Sequence, residues 1–204
     1  MVTSYSQLLA RECKGKLGKD ADQFIAYAVE GAQRIEQLLK GMREYWQVGE
    51  RGEEHNTLVD SNGALEGALR NLQELITECG AVVTHDALPT VWAEEAGLVQ
   101  LFQNLVGNAI KYRSEKPPKV HISAGKNDQG QWVFSVKDNG VGIEPQYAEK
   151  IFAMFYRLDR TTPASTGIGL ALCKKVVERL GGSIWVESKL GQGSDFKFMI
   201  PPKE

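Results

Sequence analysis

The chain has 204 residues, 24 of them basic and 26 acidic, for a formal net charge of −2. Its 42% hydrophobic and 25% charged residues are ordinary for a folded globular protein, which excludes a disordered tail, a collagen-like repeat or a coiled coil throughout. The balanced charge gives no basis for a nucleic-acid partner, and no apolar run reaches the roughly 18 residues that a membrane span needs. The opening MVTSYSQLLARECKGK lacks the basic and apolar regions of a secretory signal. Cys13, Cys79 and Cys173 are odd in number and far apart, which fits buried thiols in a reducing cytoplasm.

In chain order, the first segment is a helical arm. Val2, Tyr5 and Leu9 keep a 3-4 spacing; after the turn GKLGKD, with Asp20 as the expected N-cap, the residues Phe24, Ala28, Gly31, Ile35, Leu38, Met42 and Tyr45 repeat at 4-3 intervals. At 1.5 Å per residue this second helix is roughly 40 Å long. Two helices with one apolar stripe each enclose no core. They either pack on their own domain or complete a four-helix bundle with a second chain. The organisation expected is therefore an arm over residues 1–50, a polar hinge GERGEEHN, and a domain over residues 55–204.

Beyond the hinge the pattern alternates. A short strand at 57–59 leads into a helix at 61–79; strands follow at 81–85 and 88–92, then a long amphipathic helix at 95–112. Period-2 alternation at 119–125 and 131–138 reads as a half-buried antiparallel hairpin. A helix at 169–180 and a final hairpin at 183–187 and 196–200 complete an α+β fold, a two-layer α/β sandwich preceded by an antiparallel helical hairpin.

Four clusters carry chemistry. In QLFQNLVGNAIKYR, the residues Gln100, Asn104, Asn108 and Lys111 share one helix face. A solvated face explains Gln and Lys there, but asparagine is a weak helix former, and two of them suit a helix whose neutral oxygens face a bound ion. DNGVGI follows a strand; its Asn-Gly suits a hairpin turn, yet no strand follows, so the glycines read as room for close approach of a flat ligand. Asp138 at that strand end can accept from an amino group. In STGIGLALCKK, Gly167 and Gly169 open a helix whose free N–H groups suit phosphate. GQGSDFKFMIP is, alone, most simply a hairpin turn.

The ordered series NLVGNAIKY, DNGVGI, IFAMFYR, TGIGLAL and GQGSDF resembles the asparagine, first glycine, phenylalanine and second glycine boxes and the final glycine turn of histidine kinase catalytic domains. These belong to the wider GHKL group with gyrase and MutL, whose ATP-binding sandwich is the Bergerat fold. The arm is similar to the dimerisation hairpin of these kinases, and SYSQLLAR and YAVEGAQRIEQLL look like phytochrome-type and related PAS-linked sensor kinases. The resemblance implies ATP and Mg²⁺ as cofactors, with Asn108 as the metal ligand, Asn104 in support and Lys111 neutralising phosphate charge. Tyr112 would pack beside the nucleotide and Asp138 would accept from the adenine amino group, walled by Gly140, Gly142 and Ile143. Phe152, Phe155, Tyr156 and Arg157 would anchor the ATP lid, with Arg157 reaching the γ-phosphate. Thr166, Gly167, Ile168, Gly169 and Leu170 would line the phosphates, and Ser194 would sit near adenine.

Two departures matter. Ser165 stands where the family has a glycine, which should stiffen one lid hinge. No His-Glu or His-Asp acceptor lies on the arm: His55, His85 and His121 read as ordinary histidines, and the chain begins where residues after that acceptor would lie. Met1 is thus expected to be internal to a longer protein, with its sensor domain upstream. The position from which a glutamate activates water in the gyrase branch is Asn104, which is no base. The resemblance therefore favours transfer to a histidine and relay to a response regulator receiver domain, by a homodimer. A GHKL-type ATPase, an anti-sigma-like serine kinase and a non-catalytic nucleotide-binding module stay open.

Overall fold

A computed structural model describes residues 2–13, 15–16, 18–50, 55–158 and 166–202, without the side chains of residues 49 and 50. Residues 51–54 of the expected hinge, and Ser165, lie outside the described residues. The arm consists of α1 (Val2–Cys13) and α2 (Lys19–Glu50). Lys19 opens α2, so Asp20 lies within the first turn and is not the cap. Asp22 in that turn accepts the Gly15 N–H on both carboxylate oxygens at 3.1 Å, tying loop to helix where the dipole favours negative charge.

The faces of the arm differ from those expected. In α1 the half-buried positions are the small residues Thr3, Ser6, Ala10 and Cys13, which permit close approach to α2. The expected stripe lies outside, with Val2 72% and Tyr5 68% exposed. In α2 the seam divides. Phe24 and Ile35 are exposed, whereas Tyr45 and Val48 pack against the core of the α/β unit. The α2 backbone at Gly41 lies close to Ile168: a Cβ there would stand 3.0 Å from the isoleucine Cδ1. Lys175 stands 4.0 Å from the Tyr45 ring centroid. Arg179 donates to the Val48 carbonyl at 3.2 Å and pairs with Glu94 at 3.2 Å.

The α/β unit holds β1 (Thr57–Asp60), α3 (Ser61–Asn71), α4 (Gln73–Cys79), β2 (Val82–His85), β3 (Thr90–Ala93), α5 (Glu95–Lys111), β4 (Lys119–Lys126), β5 (Trp132–Asp138), α6 (Gly169–Arg179), β6 (Ser183–Ser188) and β7 (Ser194–Ile200). Two strands, β1 and β3, form an antiparallel ribbon, while a five-stranded sheet runs β2-β4-β5-β7-β6, parallel only between β2 and β4. The single helix expected over 61–79 is two. Leu72 leaves helical geometry (φ −98°, ψ 3°) as its side chain packs on the core beside Gly107. Asp60 caps α3 by accepting the Asn62 N–H at 3.0 Å. Gly80, at φ 60°, ends α4 in the left-handed conformation that glycine tolerates. Of the thiols only Cys173 is buried; Cys13 and Cys79 are half-buried, and all three are free.

Helices α5 and α6 cover one face of the sheet, giving two layers. At the centre Phe134 of β5 and Phe198 of β7 are ladder partners with rings stacked at 4.7 Å, and Phe102 of α5 meets both edge-on at 6.1 and 5.9 Å. Phe102→Ala should lower unfolding free energy by about 3–5 kcal/mol. A urea titration checks this as a fall in midpoint at unchanged slope.

Candidate functional site

Helix α5 is pinned by a fully apolar face, Leu98, Leu101, Phe102, Leu105, Val106, Ala109 and Ile110, all buried. That leaves Asn104, Asn108 and Lys111 half-buried along the opposite side. Each part of that side meets a different motif. Asn104 faces the first residue of α6: a Cβ on Gly169 would stand 3.0 Å from Asn104 Oδ1, and Asn104 Nδ2 is buried with no hydrogen-bond partner among the described residues. One turn on, the Asn108 side chain makes no hydrogen bond among the described residues. Lys111 stands near Arg157: burial first, and the arginine charge second, hold its ammonium below the usual lysine value.

At the end of α5 the Tyr112 carbonyl accepts the Val141 N–H at 3.1 Å. A Cβ on Gly140 would be 2.5 Å from that carbonyl and 2.9 Å from Asp138 Oδ1, so the loop after β5 passes close only because the residue is glycine. Asp138 Oδ1 accepts from Gly140 N at 2.7 Å and Ser194 N at 3.1 Å; no hydrogen bond among the described residues engages Oδ2. Burial pushes the Asp138 carboxyl above its ordinary pKa, against the lowering effect of those two N–H groups. The β6–β7 turn closes the other wall. Gly191 donates to the Val141 carbonyl at 2.7 Å, and Ser188 accepts the Ile143 N–H at 2.8 Å.

The backbones at Phe155 and Gly167 also meet. Phe155 and Gly167 both have positive φ, 63° and 71°, and Phe155 N donates to Gly167 O at 2.9 Å. A left-handed phenylalanine costs about 1–2 kcal/mol, so the surrounding contacts hold it there. Tyr156 packs near Tyr147 at 6.5 Å, and Phe152 is buried against Phe196. Among the expected residues Thr166 is half-buried beside Gly167, while Ile168 is buried under α2 and Leu170 packs on the core. The Ile168 and Leu170 side chains are thus used in packing.

Three contributors escape sequence reasoning. Gly193, at φ 89°, has no room for a Cβ, which would stand 2.1 Å from the Asp138 carbonyl. Asn139 accepts the Lys119 N–H at 2.8 Å and donates to Pro117 O at 3.0 Å, fixing the segment before β4. Ser188 joins two loops. Only the glycine pair of GQG signalled any of this, and it reads as a plain turn.

A half-buried carboxylate framed by glycine loops lies beside the polar side of α5 on a two-layer sandwich, behind a helical hairpin. Residues 93–204 match the Histidine kinase-, DNA gyrase B-, and HSP90-like ATPase family, and the chain belongs to it. It is similar to cyanobacterial phytochrome A of Nostoc sp., 46% identical over 98% of this chain and 26% of that protein. Full-length ShkA in complex with AMPPNP superposes with a TM-score of 0.72 at 27% identity, over 98% of this chain and 42% of that one. Histidine kinase ThkA in complex with response regulator protein TrrA gives 0.69 at 22% identity, over 98% and 57% of the two chains, a likeness of fold. The chain spans about a quarter of the length of the cyanobacterial phytochromes it matches.

Asp138→Asn should retain both backbone hydrogen bonds through Oδ1 while placing an amide donor at Oδ2. Adenine nucleotide affinity should fall roughly ten- to a hundredfold, about 1–3 kcal/mol, by calorimetry, with the unfolding midpoint kept. Affinity should rise with pH through a window above the ordinary carboxylate range, as the raised carboxyl ionises. Without ligand the sign reverses: the folded carboxyl holds its proton more tightly than the unfolded one, so stability falls as pH rises through that window. Thermal melts of Asp138→Asn should lose this slope.

Proposed function

We propose that this chain is the ATP-binding catalytic region, with part of the dimerisation hairpin, of a cytoplasmic sensor histidine kinase. It would present the γ-phosphate of ATP to a histidine for relay to a response regulator aspartate. The observation that carries this reading is that α5 and the residue after it bring separate motifs together: Asn104 meets the opening of α6, and the Tyr112 carbonyl meets the glycine loop that frames Asp138.

In this reading Asp138 accepts from the adenine amino group, with Gly140, Gly142, Ile143 and Ser194 forming the wall and Tyr112 and Tyr156 flanking the nucleotide. Lys111 and Arg157 neutralise phosphate charge. Phe155 and Gly167 set the lid ends, and Thr166, Ile168, Gly169 and Leu170 contribute backbone at the phosphates. Asn108, whose side chain makes no hydrogen bond among the described residues, would hold Mg²⁺ through a neutral oxygen, and the ion would offset phosphate charge.

Transfer, not hydrolysis, is supported by Asn104, which occupies the place of a general base and cannot take a proton. His55, His85 and His121 all stand off the arm helices; His121 is engaged by Thr84 at 2.9 Å and Asp86 at 3.5 Å. The exposed Val2, Tyr5, Phe24 and Ile35 support a second copy of the chain on the arm. No helix among the described residues is long and apolar enough to cross a membrane.

Asn108→Ala should lose the Mg²⁺-dependent part of ATP binding and keep the metal-free part, measured by calorimetry with and without Mg²⁺. Labelled ATP should yield acid-labile phosphate on a histidine-bearing dimerisation hairpin supplied in trans, and transfer should vanish in Asn108→Ala; absence of label with the unmodified chain would leave only nucleotide binding. Ile35→Glu should convert dimers to monomers in light scattering, since a charge in that seam is desolvated without a partner.

A further inference from the structure

Beside Asp138, across strands β5, β7 and β6, lies a polar cluster that nucleotide contact leaves unused. Ser194, whose N–H reaches Asp138 Oδ1 at 3.1 Å, is followed by Asp195, the ladder partner of Lys137 on one side and of Glu187 on the other. Asp195 Oδ1 accepts the Ser135 hydroxyl at 2.5 Å, and its Oδ2 lies 3.6 Å from Lys197 Nζ. The same ammonium donates to Glu187 Oε2 at 2.6 Å. Like charges directly opposite in a sheet repel, so one lysine answers two facing carboxylates. The Asp195 and Lys197 side chains are only 21% and 24% exposed, where salt screens them less than in open water.

This cluster bears on Asp138, the next residue of β5 after Lys137. Burial first raises the Asp138 carboxyl, the Gly140 and Ser194 N–H groups lower it, and the Asp195 charge raises it further. Lys197 is held above its ordinary value, first by the Glu187 hydrogen bond, and stays cationic while Asp138 titrates. The other ionisable groups on the surrounding elements are Lys119 and His121 on β4, Lys137 on β5, Glu144 after the glycine loop, Lys189 in the β6–β7 turn, and Lys111, Tyr112 and Arg113 at the end of α5. Of these only Lys111 and Tyr112 are not exposed.

We propose that Lys197 and Asp195 are positioning residues for charge: by offsetting Asp195, Lys197 keeps Asp138 ionised and sets the pH window in which the site takes adenine nucleotide. The proposal rests on the assignment of Asp138 to base recognition. Removing the lysine charge leaves two uncompensated carboxylates beside Asp138, which then keeps its proton to higher pH. Removing the Asp195 charge acts in the opposite direction. A cluster that only braced the strands would not produce shifts of opposite sign.

The test is a carbon-13 NMR titration of the Asp138 carboxyl, assigned by its loss in Asp138→Asn, beside calorimetry of ATP with Mg²⁺ over the same pH range. Lys197→Met should move the Asp138 midpoint up by about half a pH unit, and Asp195→Asn, which keeps an oxygen for Ser135, should move it down by a similar amount. ATP affinity below the midpoint should be about threefold weaker in Lys197→Met and about threefold tighter in Asp195→Asn, both converging on the unmodified chain at high pH. Lys197→Arg should hold the midpoint, and in an Asp195→Asn background Lys197→Met should barely move it. If Lys197→Met unfolds, Asp195→Asn and Lys197→Arg still decide. A midpoint unmoved, or moved the same way by both single variants, would overturn the proposal and leave the Asp138 assignment standing. A midpoint that moves while ATP affinity stays flat with pH would instead sink the Asp138 assignment, and this role with it.

Discussion

The packing of α5 against the stacked pair Phe134 and Phe198 is the constraint on which the rest of the structure depends. Seven buried apolar residues lock the rotation of this helix about its axis, each burial contributing roughly 1.5–3 kcal/mol for a large side chain. A helix advances by 3.6 residues per turn, so fixing one face fixes the opposite one. Asn104, Asn108 and Lys111 are therefore aimed by the core beneath them. The functional face is a consequence of hydrophobic packing.

Around that face the loops are placed by steric exclusion more than by attraction. Gly142 has left-handed φ and lies so close to Lys189 that a Cβ would be 2.2 Å from its carbonyl. Gly193 makes the same kind of approach to the backbone of Asp138. The two loops interlock through backbone, and any side chain at either point would separate them. Asp138 is left in a half-enclosed position where two N–H groups hold one oxygen and burial still outweighs them, raising its pKa. Such a carboxyl is poised to gain from a ligand donor more than an exposed one would.

The arm and the α/β unit are joined on the side of α6. The two helices approach at Gly41 and Ile168, Lys175 lies over Tyr45, and Arg179 bridges Glu94 and the α2 carbonyl of Val48. Arg179 and Glu94 are each 16% exposed, so the pair is partly desolvated and its geometry matters. Because α6 begins at Gly169 beside Asn104, the helix that anchors the arm also opens onto the polar side of α5. The lower half of the heptad stripe is thus used within the chain, while its upper half is left outward.

The sequence by itself determined the element order, the α5 apolar and polar faces, Asp138 at a strand end and the glycine positions, because periodicity and backbone permissiveness are local properties. It misplaced what depends on neighbours. The helix at 61–79 bends at Leu72 because the core draws that side chain in, and the stripe Val2, Tyr5, Leu9 faces outward because small residues let α1 and α2 approach. Asp20 yields the start of α2 to Lys19, as carboxylates in the first turn are favoured without being caps. Ser188 and Asn139 were silent in sequence, and Gly193 read only as a turn glycine, because their partners are distant in the chain. A hydroxyl or a glycine takes on a role only when the tertiary structure brings another backbone within about 3 Å of it, and that proximity was decided by the sheet and the α5 packing, not by any local pattern.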